Sequence, residues 1–359
     1  TIINNVLSST DATDAEKHRL RAEALYQRAF EYLALVNIYA RHYHKETAAT
    51  DYGIPLITKD LVDQTYTRAT VAEVYKQIED DLKEASTSLK EVPINLFHPY
   101  LGSLHSFYAR LYLYMGRYDD ALTEAKEALK LNDKLQDLRP YQTKDKTTWG
   151  RIVLPDGTPM LEKDDNPEAV FVRLQSGRVT IPVSKDFLAT FERNLPAGAT
   201  DQRRALFYAD DTVNMGRTDY FYGETCYILY AYQNVGFSTV ENMLIAAECE
   251  ARVGSKDNAM SYVNKLRDNR IKNNVALTAT DKDEALRIVL DERRREFAFT
   301  GFHRLIDLKR LNYEDKFKKT VTHTADGETF TLAPNDNRYI FPINQMILNY
   351  NPGMPQYER

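Results

Sequence analysis

The stretch LHSFYARLYLYMGRYDDALTEAKEALKLND, residues 104 to 133, constrains the fold more than any other part of the chain. Ala109, Tyr112, Gly116, Tyr118, Ala121, Ala125 and Ala128 recur at helical spacing on the two sides of a glycine. Two antiparallel helices approach closely only where small side chains meet at the crossing. The pattern therefore predicts a helical hairpin, with Gly116 permitting the tight turn and Tyr118 plugging the gap beside it.

A second copy of this small–turn–small arrangement lies in ENMLIAAECEARVGSKDNAMSYVNKLRDNR, carried by Ala247, Gly254 and Ala259. Both segments place small and aromatic residues as a tetratricopeptide repeat does. More than a hundred residues separate the copies, so the chain is not a continuous solenoid. The expected fold class is mostly α: a tetratricopeptide-like helical-repeat scaffold carrying an irregular, loop-rich insertion. Residues 1–137 form its N-terminal part, 138–233 the insertion and 234–359 the C-terminal helical part and tail, all in one structural unit.

The flanking segments fit this plan. DATDAEKHRLRAEALYQRAFEYLALVNIYARHY opens with Asp and Thr cap candidates and predicts a long helix, with Leu20, Ala24, Phe30, Leu33 and Val36 at roughly helical spacing. Gly53 and Pro55 then break the chain, and Thr70 with Glu73 predicts a capping box at the next helix. The insertion is rich in turn residues (PDGTP, DDNPE, LPAG), EAVFVRLQ reads as a short strand, and aromatics crowd FYADDTVNMGRTDYFYGETCYILYAY.

Composition excludes several function classes. A net charge of −5 is the wrong sign for sequence-independent nucleic-acid binding. No apolar run is long enough to span a bilayer, and the opening residues lack the basic start and apolar core of a signal peptide. The chain begins without Met, which reads as processing or trimming. Cys226 and Cys249 sit in no metal-ligand pattern and read as isolated apolar thiols, their pairing left open. His42 and His44 have an H-x-H spacing but no third ligand, and read as a solvated loop. No Gly-rich phosphate loop and no nucleophile elbow occur.

DERRREFAFTGFHRLIDLKR, residues 291 to 310, raises the sharpest question, whether it is catalytic or scaffold. On a helix, Asp291 pairs with Arg294 and Arg295, Glu292 with Arg295, and Arg293 with Glu296, each pair contributing about 0.2–0.5 kcal/mol. Leu286, Val289, Leu290 and Phe297 form the opposite, buried face, and Gly301 stops the helix. A retaining glycosidase needs two carboxyls about 5 Å apart across a cleft, whereas Asp291 and Glu292 point in different directions. The reading is a salt-bridged helix clamping a second helix, and not an enzyme.

The same stretch resembles the C-terminal signature of the SusD/RagB family, the outer-membrane nutrient-binding lipoproteins of Bacteroidetes. The family's Glu-Arg-Arg-x-Glu helix, apolar step, glycine and Arg-x-x-Asp-Leu-x-Arg segment correspond to Glu292–Glu296, Phe297–Gly301 and Arg304–Arg310. Leu305 and Ile306 stand where the family usually has Trp-Phe. AEKHRLRAEALYQRAFEYLALVNIY, YGIPLIT, RATVAEVYKQIEDDLKEA, NPEAVFVRLQ and YIFPINQMILNYNPGMPQY resemble further family segments, in the family's order. The chain looks like a member without the family's first hundred or so residues, which start at a lipidated Cys.

This resemblance implies a cell-surface protein that binds a nutrient glycan and hands it to a SusC-like TonB-dependent transporter. It also implies a lipid anchor outside this chain, no cofactor and no bond-breaking. An oligopeptide-binding, RagB-like member is the alternative; a cytosolic helical-repeat adaptor would require contiguous repeats. Sugar rings stack an apolar face on aromatic side chains while Asp, Asn and Arg bond the hydroxyls. The expected ligand residues are therefore Trp149, Tyr208, Tyr220, Phe221 and Tyr222, with Arg217 and Asp219 as polar partners and Trp149 foremost. Tyr26, Tyr108 and Tyr112 read as helix-packing residues.

Overall fold

The structure is a computed structural model that describes residues 2–59, 65–143, 152–175, 181–210, 223–227 and 233–359. Its helices are α1 (Ile2–Asn5), α2 (Asp14–Tyr39), α3 (Val71–Ala85), α4 (Leu101–Tyr114), α5 (Tyr118–Leu131), α6 (Lys185–Glu192), α7 (Gln202–Phe207), α8 (Thr239–Arg252), α9 (Lys256–Arg267), α10 (Lys282–Glu296), α11 (His303–Leu311) and α12 (Gln345–Tyr350). Local chemistry starts the long ones. The Thr13, Ser238 and Asp281 side chains accept from the third backbone N–H of α2, α8 and α10, and Thr70 with Glu73 closes the expected capping box on α3.

The hairpin predicted around Gly116 is present. Ala109, Ala121 and Ala125 are fully buried between α4 and α5, and Gly116 takes φ +72° at the turn. The second hairpin, α8 and α9, buries Ala247 and Ala259 in the same way. At Gly254 an added Cβ would sit 2.0 Å from Glu250 Oε2, the oxygen that accepts from the Ser255 N–H. A third pair, α2 with α3, precedes them. The array is broken in sequence but not in space, because α5 packs directly on α8. On α2 the apolar periodicity identifies the helix and part of its buried face, since Leu33 and Val36 are buried and Phe30 packs against the core, but Leu20 is exposed and Ala22, Leu25, Tyr26 and Ala29 carry the rest of the burial.

Helix α8 is buried almost all round, yet it carries three carboxylates. Each is matched to a different neighbour. Glu241 accepts from Arg110 Nε and Nη2 of α4 at 2.7 and 2.6 Å, Glu248 from Arg310 Nη1 and Nη2 of α11 at 2.5 and 2.7 Å, and Glu250 from Lys126 of α5 at 2.7 Å. A buried charge is tolerated only when paired in this way, so the pairs fix which helix lies on which side of α8.

The charged run on α10 departs from its sequence reading. Only the Glu292–Arg295 pair forms within the helix; Asp291, Arg293, Arg294 and Glu296 reach other elements, to Arg193, Asp307, Asp186 and Arg203 with Arg270 respectively. Nor is the run a solvated face. Glu292, Arg293 and Arg295 are 0%, 1% and 3% exposed, which places them in a buried network rather than among weak surface pairs. The helix also ends at Glu296, ahead of Gly301, because the chain turns at Phe299, which has φ +63°. The clamp itself is real: Asp307 of α11 accepts from Arg293 and from Arg310.

Short ladders tie residues 169–238 to the scaffold. Ala169–Phe171 pairs with Phe237–Ser238, and Leu174–Gln175 with Gln233–Asn234, so both ends of the intervening stretch are zipped at one root. Thr200–Asp201 pairs with Ile271–Lys272. Phe171 and Phe237 then wedge into an aromatic cluster on α2 and α4, with Tyr26 edge-on to Phe171 at 5.3 Å and to Phe107 at 5.2 Å. The strand expected in EAVFVRLQ is this wedge. Tyr26 packs as expected, and Tyr108 stacks on Tyr112 at 5.4 Å. Cys226 and Cys249 are buried and unpaired. His42 is not in a solvated loop: its ring is buried against Tyr114.

Three outcomes follow from this packing. Gly116→Ala has open space for its Cβ, so it should cost only the backbone strain of a left-handed residue, about 1–2 kcal/mol in urea unfolding. Glu292→Ala removes the buried carboxylate that three guanidiniums share and should cost about 3–5 kcal/mol in the same assay. The pH dependence is the third. Burial, aided by nearby cations, pushes His42 and His303 down to about 3, so between pH 6.5 and 3 only the unfolded chain takes up their protons. Burial alone would raise Glu248, but Arg310 and Arg252 hold it at about 2. Through these groups unfolding free energy measured against pH should fall between about 6.5 and 4.5 and steepen below about 4.5. A flat profile between pH 6.5 and 4.5 would contradict the buried histidines.

Candidate functional site

The zipped root forms one wall of a cleft of about 580 Å³, lined by Phe30, Glu31 and Ala34 of α2, by Arg173–Gln175 and Val235, and by the Gly301–His303 turn. Asn234 sets the geometry of that wall. Its Oδ1 accepts from the Arg173 and Gly236 N–H groups at 2.9 Å each, and its Nδ2 donates to the Phe171 and Phe237 carbonyls at 3.1 and 3.3 Å. Gly236 is required there, since a Cβ would lie 2.0 Å from the Phe171 carbonyl oxygen. Across the cleft, the Gly301 N–H donates to Gln175 Oε1 at 2.9 Å and latches the turn to the wall.

The charged groups at the base of the cleft are satisfied by the fold. Arg110 stacks over Phe237 at 4.1 Å while donating to Glu241. His303 stacks on Phe297 at 4.7 Å, and burial, with Arg110, Arg293 and Arg310 adding to it against the pull of Glu241, keeps it neutral, with a pKa of about 3. At the mouth the situation is reversed. The Arg173 guanidinium lies 5.2 Å from the Phe171 ring, its Nε is buried without a partner, and it makes no ion pair among the described residues. Glu31 is exposed and likewise unpaired among them. Phe302 is 45% exposed beside them. A half-exposed aromatic ring beside a guanidinium with no ion pair among the described residues, a carboxylate and the Gln175 amide suits a ligand that is apolar on one face and hydroxylated at its edge.

A second groove, about 740 Å³, runs between α2, residues 53–57 and the C-terminal tail. Its cation is already engaged: Arg68 donates to the carbonyls of Gly53, Tyr39 and Pro355 and lies over the Tyr52 and Tyr357 rings. The first cleft therefore presents the freer polar chemistry.

Of the residues expected from sequence, Trp149, Arg217, Asp219, Tyr220, Phe221 and Tyr222 lie outside the described residues. Tyr208 is described and is only 6% exposed; it packs on Phe191 at 5.5 Å and Tyr227 at 5.4 Å and lines a small cavity of about 170 Å³ rather than the cleft. Sequence reasoning missed Arg173, Glu31 and Phe302. The signals were slight: Arg173 ends the buried run Ala169–Val172, and Phe302 is an apolar residue directly after a glycine. Among the described residues no cluster of three His, Cys, Asp or Glu could hold a metal ion, and no helix is long and apolar enough to cross a membrane.

Comparison with known proteins places this architecture. Residues 1–113 match a family described as starch-binding associating with outer membrane, and residues 240–359 match the SusD family. No curated protein matches the chain. Among solved structures, a SusD superfamily protein from Bacteroides thetaiotaomicron VPI-5482 superposes with a TM-score of 0.76 at 19% identity, over 99% of this chain and 82% of its own. A SusD-like protein from Bacteroides fragilis NCTC 9343 gives 0.69 at 17% identity, over 99% and 82%. A SusD-like carbohydrate binding protein from Bacteroides vulgatus ATCC 8482 gives 0.67 at 20% identity, over 98% and 80%. With one family matched at its first third and the SusD family at its last, and the fold shared along its length, the chain belongs to the SusD/RagB family.

Proposed function

We propose that this chain binds a nutrient glycan at the cell surface and passes it to a SusC-like TonB-dependent transporter. A lipid anchor outside this chain holds it at the outer membrane, and it breaks no bond in its ligand. The observation that carries the reading is the cleft mouth, where half-exposed Phe302 stands beside Glu31, Gln175 and the Arg173 guanidinium, which has no ion-pair partner among the described residues. A pyranose ring would stack on Phe302 while its hydroxyls bond the three polar side chains. Family membership and the name of the carbohydrate-binding neighbour support the same reading. Trp149, Arg217, Asp219, Tyr220, Phe221 and Tyr222 remain proposed contacts of this ligand, whereas Tyr208 is buried away from the cleft.

Calorimetric titration with neutral oligosaccharides, set against mixed oligopeptides, tests the proposal. Saturable binding of an oligosaccharide is expected, with Phe302→Ala and Arg173→Ala each weakening it about tenfold, or ~1.4 kcal/mol. Phe302→Ala should cost about 1 kcal/mol of stability, because roughly half of the side chain is buried and its ring packs edge-on against Phe341. Binding of peptides alone would assign the chain to the peptide-binding, RagB-like branch and overturn the glycan reading.

A further inference from the structure

Another cavity, about 630 Å³, lies on the other side of the 297–304 turn and shares Gly301 with the cleft. Its wall combines Ser184, Asp186 and Phe187 of the insertion, Arg293 and Arg294 of α10, Phe299, Arg304 of α11, and Lys319, Thr320 and Thr322. Four cations line it against two carboxylates, Asp186 and Asp307.

The two acids are already shared. Asp186 Oδ2 accepts from both Arg294 at 2.7 Å and Lys319 at 2.5 Å, and Asp307 accepts from Arg293 and Arg310. Arg304 is left over. Its guanidinium makes no hydrogen bond or ion pair with any described residue, although the side chain is half-buried. Burial and the neighbouring Arg294 lower its affinity for its proton to a pKa of about 10, a shift that a bound anion would reverse. Arg293 adds an Nη1 that is buried without a partner among the described residues. An excess of positive charge in a partly enclosed space, with Thr and Ser hydroxyls around it and Phe299 and Phe187 for apolar contact, is a complement to a small organic anion.

We propose that this cavity takes a sugar unit bearing a negative substituent, a carboxylate or a sulfate, with Arg304 as its direct partner. The inference rests on the glycan reading above and narrows it from neutral sugars to acidic ones. The two cavities sit back to back on one turn, so a chain running over that turn could place neutral units in the cleft and an acidic unit here.

The test is calorimetry with three probes on the full chain: a galacturonate trimer, an O-sulfated galactose oligomer and a neutral galactose oligomer. One or both acidic probes should bind at least tenfold more tightly than the neutral one. Arg304→Gln should remove that preference while leaving neutral binding unchanged. Which acidic probe wins identifies the substituent. Lys319→Gln, at a more exposed position, provides a second variant should Arg304→Gln fail to fold, and should weaken the acidic preference several-fold. Equal binding of neutral and acidic probes, or an acidic preference untouched by both variants, would overturn this inference and leave the glycan reading standing. Binding of none of the three saccharides would overturn both.

Discussion

Glu292 sits at full burial with three guanidiniums around its carboxylate: Arg267 of α9 at 2.8 Å, Arg295 of its own helix at 2.7 Å and Arg203 of α7 at 3.0 Å. Burial alone would raise its pKa, but the three cations hold it well below the ordinary carboxylate range. The arrangement propagates outward. Arg203 also bonds Asp201 and Glu296, and Arg270 joins Glu296 to Glu168 and to the Gln136 carbonyl. Arg267 and Arg295 donate to the carbonyls of Asn194 and Thr190. Through these bonds the C-terminal helices grip the irregular middle of the chain by its backbone and its charges, beside an aromatic contact in which Phe187 and Tyr227 pack on Phe299.

A network of this kind contributes selectivity more than raw stability. Buried ion pairs roughly offset their own desolvation, but a pairing that leaves one charge alone is costly. The three carboxylates of α8, each matched to a cation on a different neighbour, act on the same principle within the scaffold. Small residues let the helices come close, and charge decides which helix comes close to which. The repeats can thus be interrupted between α5 and α8 without losing their stacking order.

Much of this was legible in the sequence and some was not, for definite reasons. The hairpins around Gly116 and Gly254 could be read because close helix approach demands small residues at fixed spacing. The capping box at Thr70 is a local bond, readable within four residues. The charged run on α10 could not be read correctly, because its partners lie on α6, α7, α9 and α11, far away along the chain, and local spacing offers only the pairs within one helix. Arg173 and Phe302 were missed for the same reason. They come together only once Asn234 and Gln175 have joined strand to turn. Aromatic content pointed instead to the loops, and Tyr208 shows how the count misleads, since in this chain aromatics pack the core as readily as they line a surface.

The zipped root has a consequence for how such a protein changes over generations. Residues 169–175 and 233–238 are paired to each other and wedged into α2 and α4 by Phe171 and Phe237, so whatever lies between them leaves and re-enters the scaffold at one fixed place. Insertions, deletions and substitutions within that span do not alter the spacing of its two ends. The span is therefore anchored twice, at this root and where Asp186, Thr200–Asp201 and Arg203 meet α10 and the Ile271–Lys272 strand, and length changes are absorbed most easily in the stretches of it that carry neither anchor.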